Sequence, residues 1–79
     1  MNPIESLREY VLEPNFSMTV LNGKIDIVNY LSIEHFDSNK VMIKCESVLI
    51  VIEGSNLVVS RLLKDEVLII GKIKSIEFR

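Results

Sequence analysis

The stretch Phe16-Ser17-Met18-Thr19-Val20-Leu21-Asn22-Gly23-Lys24-Ile25-Asp26-Ile27 decides the fold. Phe16, Met18 and Val20 alternate with Ser17 and Thr19, and Ile25 and Ile27 alternate with Lys24 and Asp26. A period of two puts one set of side chains on a buried sheet face and the other toward solvent. Asn22-Gly23 between the two runs is a hairpin signal, because both residue types tolerate positive φ. The pair predicts two antiparallel strands joined by a two-residue turn.

Working outward, the same pattern continues to the C-terminus. A strand is expected within residues 30–36, followed by a polar turn at Asp37-Ser38-Asn39. Val41, Ile43 and Cys45 alternate with Lys40 and Lys44. Residues 48–53 are apolar on both faces, as in a central strand. Gly54-Ser55-Asn56 is expected to turn the chain into another strand at 57–60, and Lys64-Asp65-Glu66 is the next polar break. Residues 67–70 are again apolar on both faces. Gly71 then suggests a bulge or a sharp bend before the closing strand, residues 72–78. The two runs that end at Gly54 and Gly71 read as similar strands with similar exits, not as a solenoid repeat.

Toward the N-terminus the period changes. Ile4, Leu7, Tyr10 and Val11 share one helical face, Asn2 can cap, and Pro3 suits the first helical position. The spacing predicts a short helix over residues 3–12, which Pro14 ends by restricting Glu13 to extended backbone. The fold class expected is therefore all-β. An antiparallel meander of about seven or eight short strands over residues 15–79 curls into a barrel or a sandwich, with a short N-terminal helix. No second helix exists to make a parallel crossover. The 79 residues form a single domain, 1–79.

Composition narrows the function. Hydrophobic residues make up 48% of the chain. A domain this small cannot bury them all, and contiguous exposed apolar surface marks interaction sites, so self-association or a protein partner is expected. The net charge is −2 and the pI is near 5.3. The basic residues are scattered, which argues against nucleic acid, although strands could gather Lys40, Lys44, Lys72 and Lys74 onto one face. Cys45 is the only cysteine, so no internal disulfide forms, as suits a reducing compartment. The N-terminus carries no basic-then-apolar leader pattern, and no apolar run approaches membrane-spanning length. A cytoplasmic setting follows, with any membrane contact peripheral.

The search for chemistry returns no catalytic, cofactor-binding or metal-binding residues, and assigns no binding residue. His35 is the only histidine. Its sequence neighbours Glu34 and Asp37 do not make a catalytic set with it, because adjacent strand residues point to opposite faces. Three or four metal ligands are not in sight. Cys45 alternates with Val41 and Ile43 and reads as a core residue. Gly23, Gly54 and Gly71 sit singly, without a phosphate cradle. The five aromatics, Tyr10, Phe16, Tyr30, Phe36 and Phe78, are expected to pack in the core, and the carboxylates to be solvated.

A resemblance takes the reading further. Phe16-Ser-Met-Thr-Val-Leu before Asn22-Gly23, then Ile25-Asp-Ile-Val-Asn-Tyr30, Ile33-Glu-His-Phe-Asp37 and Lys40-Val-Met-Ile-Lys-Cys45 follow one another in order. Ile50-Val-Ile-Glu-Gly54 and Asn56-Leu-Val-Val come next. The chain closes in Glu66-Val-Leu-Ile-Ile-Gly71-Lys-Ile-Lys-Ser-Ile-Glu-Phe78. This succession resembles the YabP/YqfC family of small bacterial sporulation proteins over about four-fifths of the chain. It departs from the family pattern at Cys45, often Thr, and at Glu46-Ser47, where a Gly is common. The resemblance implies a non-enzymatic role in endospore formation, in the mother cell and in spore envelope or coat development. It also implies an integral-membrane sporulation protein as partner, with the chain peripheral at the forespore membrane. The alternative left by the residues is a small-barrel domain that binds nucleic acid or a ligand.

Overall fold

A computed structural model describes the backbone of residues 9–12 and the whole of residues 16–79. Among the described residues seven strands form one antiparallel sheet. They are β1 (Glu9–Leu12), β2 (Ser17–Leu21), β3 (Lys24–Val28), β4 (Ser32–Phe36), β5 (Lys40–Lys44), β6 (Leu49–Leu62) and β7 (Glu66–Phe78). Their order across the sheet is β1-β2-β3-β7-β6-β5-β4.

The opening hairpin forms as its alternation requires, with Met18 opposite Ile27 and Leu21 opposite Lys24. Gly23 supplies the positive φ, at 74°, while Asn22 does not. That φ pattern belongs to a type II turn and not to its mirror-image I′.

Three expectations are corrected. The predicted helix over residues 3–12 is not formed in its described part. Glu9–Leu12 is extended and pairs with β2, Tyr10 lying opposite Thr19. An isolated helix of that length is marginal, whereas the open edge of β2 offers ladder bonds at once. Residues 3–8 of the predicted helix lie outside the described residues.

The strands are also not all short. β6 runs for 14 residues and β7 for 13. Gly54-Ser55-Asn56, expected to be a turn, lies inside β6. The register of the pair slips at Glu53/Gly54, between Ser55 and Val58, and between Val59 and Arg61. These are bulges, each placing two residues of one strand opposite one of the other, and bulges bend strands without ending them. Asn56 (φ 54°) and Gly71 (φ 141°) carry the unusual backbone at the middle one.

Lastly, the sheet neither closes into a barrel nor splits into two sheets. It stays one open sheet, bent across the middle of its two longest strands. The first half of β7 pairs with β3, Ile25 opposite Ile69, and the first half of β6 pairs with β5, Ile43 opposite Ile50. The bend lets both ends share one core: Phe16, Met18, Ile25 and Ile27 from one side, and Val41, Ile43, Cys45, Ile50 and Ile52 from the other. Leu57, Val67 and Ile69 join them. Each fully buried aliphatic side chain contributes about 1.5–3 kcal/mol relative to exposure, so this cluster is the main source of stability. β6 is central, as its two apolar faces require. Ile50 and Ile52 point into the cluster, and Val51 on the opposite face is still only 1% exposed.

Candidate functional site

The bend in β6 and β7 has a consequence for the sheet's edges. β3 follows β7 only from Glu66 to Ile70. Beyond Gly71, β7 pairs with β6 alone, from Lys72 opposite Ser55 to Phe78 opposite Ile50. Its other side meets no strand among the described residues.

Where β7 leaves β3, a cleft of about 450 Å³ opens. Val20, Leu21 and Gly23 of the first hairpin form one wall, and Gly71, Lys72 and Ile73 the other. The Gly71 N–H donates to the Gly23 carbonyl (3.1 Å), which ties the hairpin turn to the bend. The cleft is thus built from the two sequence features that seemed purely structural, the Asn22-Gly23 turn and the lone Gly71.

The remaining exposed apolar side chains lie around the rim. Phe36 is 50% exposed and Phe78 47%, so the expectation that both pack in the core is corrected. They occupy the two strand segments at the borders of the sheet's second half, where the core face runs out of neighbours. Phe16 is buried, and Tyr30 packs against the core while its hydroxyl donates to the Leu63 carbonyl (2.8 Å). Leu31, Leu62 and Leu63 are exposed as well.

The titratable residues separate into unconnected places. His35 is on edge strand β4 and exposed, its Nε2 2.8 Å from Asp37 Oδ2. Asp37 Oδ1 accepts from the backbone N–H groups of Asn39 (2.7 Å) and Lys40 (2.8 Å), which makes the polar turn. The His35 hydrogen bond, with these backbone donors, holds the Asp37 carboxyl below its ordinary range. Cys45 is buried in the core cluster, and burial pushes its thiol up. Among the described residues no group of three or more His, Cys, Asp or Glu side chains is placed to hold a metal ion.

Asp26 is the carboxylate that sequence reasoning missed. It alternates with Ile25 and Ile27 and was expected on a solvated face, but β3 lies between β2 and β7, so that face is covered on both sides. Its Oδ1 is buried and has no hydrogen-bond partner among the described residues. Withdrawal from water, then a hydrogen bond with Glu66 and the charge of Glu66, push its pKa to about 6, against the pull of Arg61. The detectable signal was an acidic residue at the middle of an interior strand.

Lys40, Lys44, Lys72 and Lys74 are spread over two strands, with a carboxylate on the strand between them. The first two lie on β5 and the last two on β7, which flank β6 from opposite sides. Glu53 stands between them, 3.9 Å from the Lys40 Nζ and within reach of the Ser75 hydroxyl.

With this geometry in view, the family question is settled by the YabP family model, which matches residues 14–79. The chain belongs to the YabP family. The matched span takes in β2 through β7 and therefore the whole core, the bend and the cleft. Membership gives the chain a sporulation-related role. No curated protein and no solved structure matches it. Among the described residues no helix is long and apolar enough to cross a membrane.

Proposed function

We propose that this YabP-family chain is a non-enzymatic interaction module of endospore formation. It acts in the mother cell during spore envelope or coat development, by engaging a protein partner or its own copies. The observation that carries the reading is the family match over residues 14–79. Apolar side chains left at the rim support it, since Phe36, Phe78, Leu62 and Leu63 are costly to expose unless another surface covers them. The partner expected from the family resemblance is an integral-membrane sporulation protein, which would hold the chain at the forespore membrane. Nucleic acid is disfavoured by the dispersed lysines and the net negative charge.

The test is the solution mass of the purified chain by light scattering, beside a crosslinking pull-down from sporulating cells. A self-assembly, or a crosslinked membrane protein that disappears on deletion of the gene along with normal spore formation, supports the reading. A strict monomer without a partner, and normal sporulation after deletion, overturns it.

A further inference from the structure

We infer that the free edge of β7, residues 72–78, is a docking strand for an extended, acidic and apolar segment of a partner protein. The inference rests on the interaction-module reading and names its surface and the chemistry of the segment it takes.

The backbone geometry comes first. Leu49 and Arg79 exchange both of their backbone hydrogen bonds (2.9 and 2.8 Å). Antiparallel pairs alternate between bonded and non-bonded, so Glu77 and Ser75 also turn their N–H and C=O groups toward β6. Ile76 and Phe78 then turn theirs away, to the side where no described strand lies. Unpaired edge groups of this kind are a template for strand addition. Of the two outermost strands, β4 is the less suited, with a bulge at Glu34 and a Ser32–Glu34 side-chain bond along its short length.

The side chains select the occupant. Ile73 and Ile76 pack against the core, and Phe78 continues that face half-exposed. The segment carries Lys72 and Lys74, and Arg79 follows it, against a single carboxylate, Glu77. Glu77 already holds Arg79 (2.7 Å), and neither Lys72 nor Lys74 forms an ion pair with a described residue. A second copy brought to this edge would bring the same excess of cations to it, and like charges across paired strands repel. A strand alternating apolar residues with carboxylates meets both requirements. Its apolar face extends the Ile76–Phe78 row, and its carboxylates meet the lysines. The 450 Å³ cleft at the head of the edge shares Lys72 and Ile73 with it and can receive one apolar anchor.

Binding of two blocked eight-residue probe peptides to the full chain, measured by fluorescence anisotropy, tests this. One alternates Val with Glu, the other Val with Lys. The Glu peptide is expected to bind at least tenfold more tightly and to lose affinity with added salt. It is also expected to slow amide hydrogen exchange at Ile76 and Phe78. Ile76→Pro removes an outward N–H without touching the β6 ladder and is expected to abolish binding. If that variant fails to fold, the double variant Lys72→Glu with Lys74→Glu is expected to reverse the preference between peptides. Equal affinity for both peptides, no binding of the Glu peptide, or a homodimer joined through β7 overturns the inference. Retention of a crosslinked sporulation partner by both variants overturns the edge alone and leaves the module reading standing. Loss of every association by the unaltered chain overturns that reading.

Discussion

Gly54 stands against the carbonyl oxygen of Lys72 so closely that a Cβ at residue 54 would lie well inside van der Waals contact with it. The relation is nearly reciprocal, because a Cβ on Gly71 would press on the Asn56 carbonyl oxygen at 2.6 Å. β6 and β7 bend together at this point, and the bend that builds the core depends on their close approach. Gly54→Ala is therefore expected to cost about 3 kcal/mol or more, since backbone atoms must move, and Gly71→Ala a similar amount with added strain at positive φ. Gly23→Ala, whose Cβ would meet its nearest atom at 3.5 Å, is expected to cost only about 1 kcal/mol. For a domain of this size the first two lower Tm by roughly 12–24 °C and the third by about 4–8 °C. Thermal unfolding of the three variants checks the ranking. Equal shifts would sink the claim that this close approach sets the fold.

Most of the sheet was legible in the sequence because the alternation of Phe16 through Ile27 and of Val41 through Cys45 is a direct record of which face is buried. The double-faced apolar run at Ile50-Val51-Ile52 likewise marked the central strand. What was not legible is whether a glycine ends a strand or bends it. Gly54-Ser55-Asn56 has the composition of a turn, and only the partner strand, running unbroken past it with Gly71 opposite, makes it a bulge. The helical face of Ile4, Leu7 and Val11 misled for a related reason, since local periodicity carries no information about the open β2 edge beside residues 9–12. The cleft and the free β7 edge follow from that bend, so sequence reading could not place them. Asp26 could not be read either, because its burial depends on which strands flank β3.

Asp26 predicts an unusual pH response. Its folded pKa is about 6 against an ordinary 3.8, so between these values the folded chain holds more proton than the unfolded one. Stability is then expected to fall as pH rises from about 4 to 6, and to rise on acidification over that window. The two pKa values set a ceiling of about 3 kcal/mol. Screening by solvent at this half-buried site reduces it to roughly 1 kcal/mol. Asp26→Asn removes the charge and can donate to Glu66. It is expected to stabilise the chain by about 1 kcal/mol at pH 7.5 and to flatten the dependence. Urea unfolding at pH 4.5 and 7.5 measures both; an unchanged slope in the variant would show that Asp26 is not the group responsible.

Asp37 gives the opposite sign. Its carboxyl is held below the ordinary range by His35 and by the N–H groups of Asn39 and Lys40. The stabilisation it provides is present above the unfolded pKa and lost as pH falls through the lower folded one. Asp37→Asn keeps an oxygen acceptor for the turn and is expected to destabilise less than Asp37→Ala, while both lose the acid-dependent component. The site is exposed, so added salt is expected to weaken the His35 contribution. Stability measured between pH 2 and 5 in low and high salt, for the two variants beside the unaltered chain, distinguishes the turn's hydrogen bonds from its charge.

Cys45 tests whether the two halves of the bent sheet stay closed. Its thiol has no exposure, touches the cluster formed by both ends of the sheet, and is pushed toward the neutral form by burial. Only the thiolate reacts readily, so a disulfide reagent such as DTNB is expected to label the folded chain at the rate of opening and the urea-unfolded chain at once. Cys45→Ala leaves a small void and is expected to cost about 1 kcal/mol. Cys45→Ser puts a hydroxyl in the same apolar setting and is expected to cost about 2 kcal/mol, more than the alanine despite its closer size. Rapid labelling of the folded chain, or a serine variant as stable as the alanine one, would mean that water reaches Cys45 and that the halves part. Slow labelling that accelerates in Gly54→Ala would tie the closure of the core directly to the bend of β6 and β7.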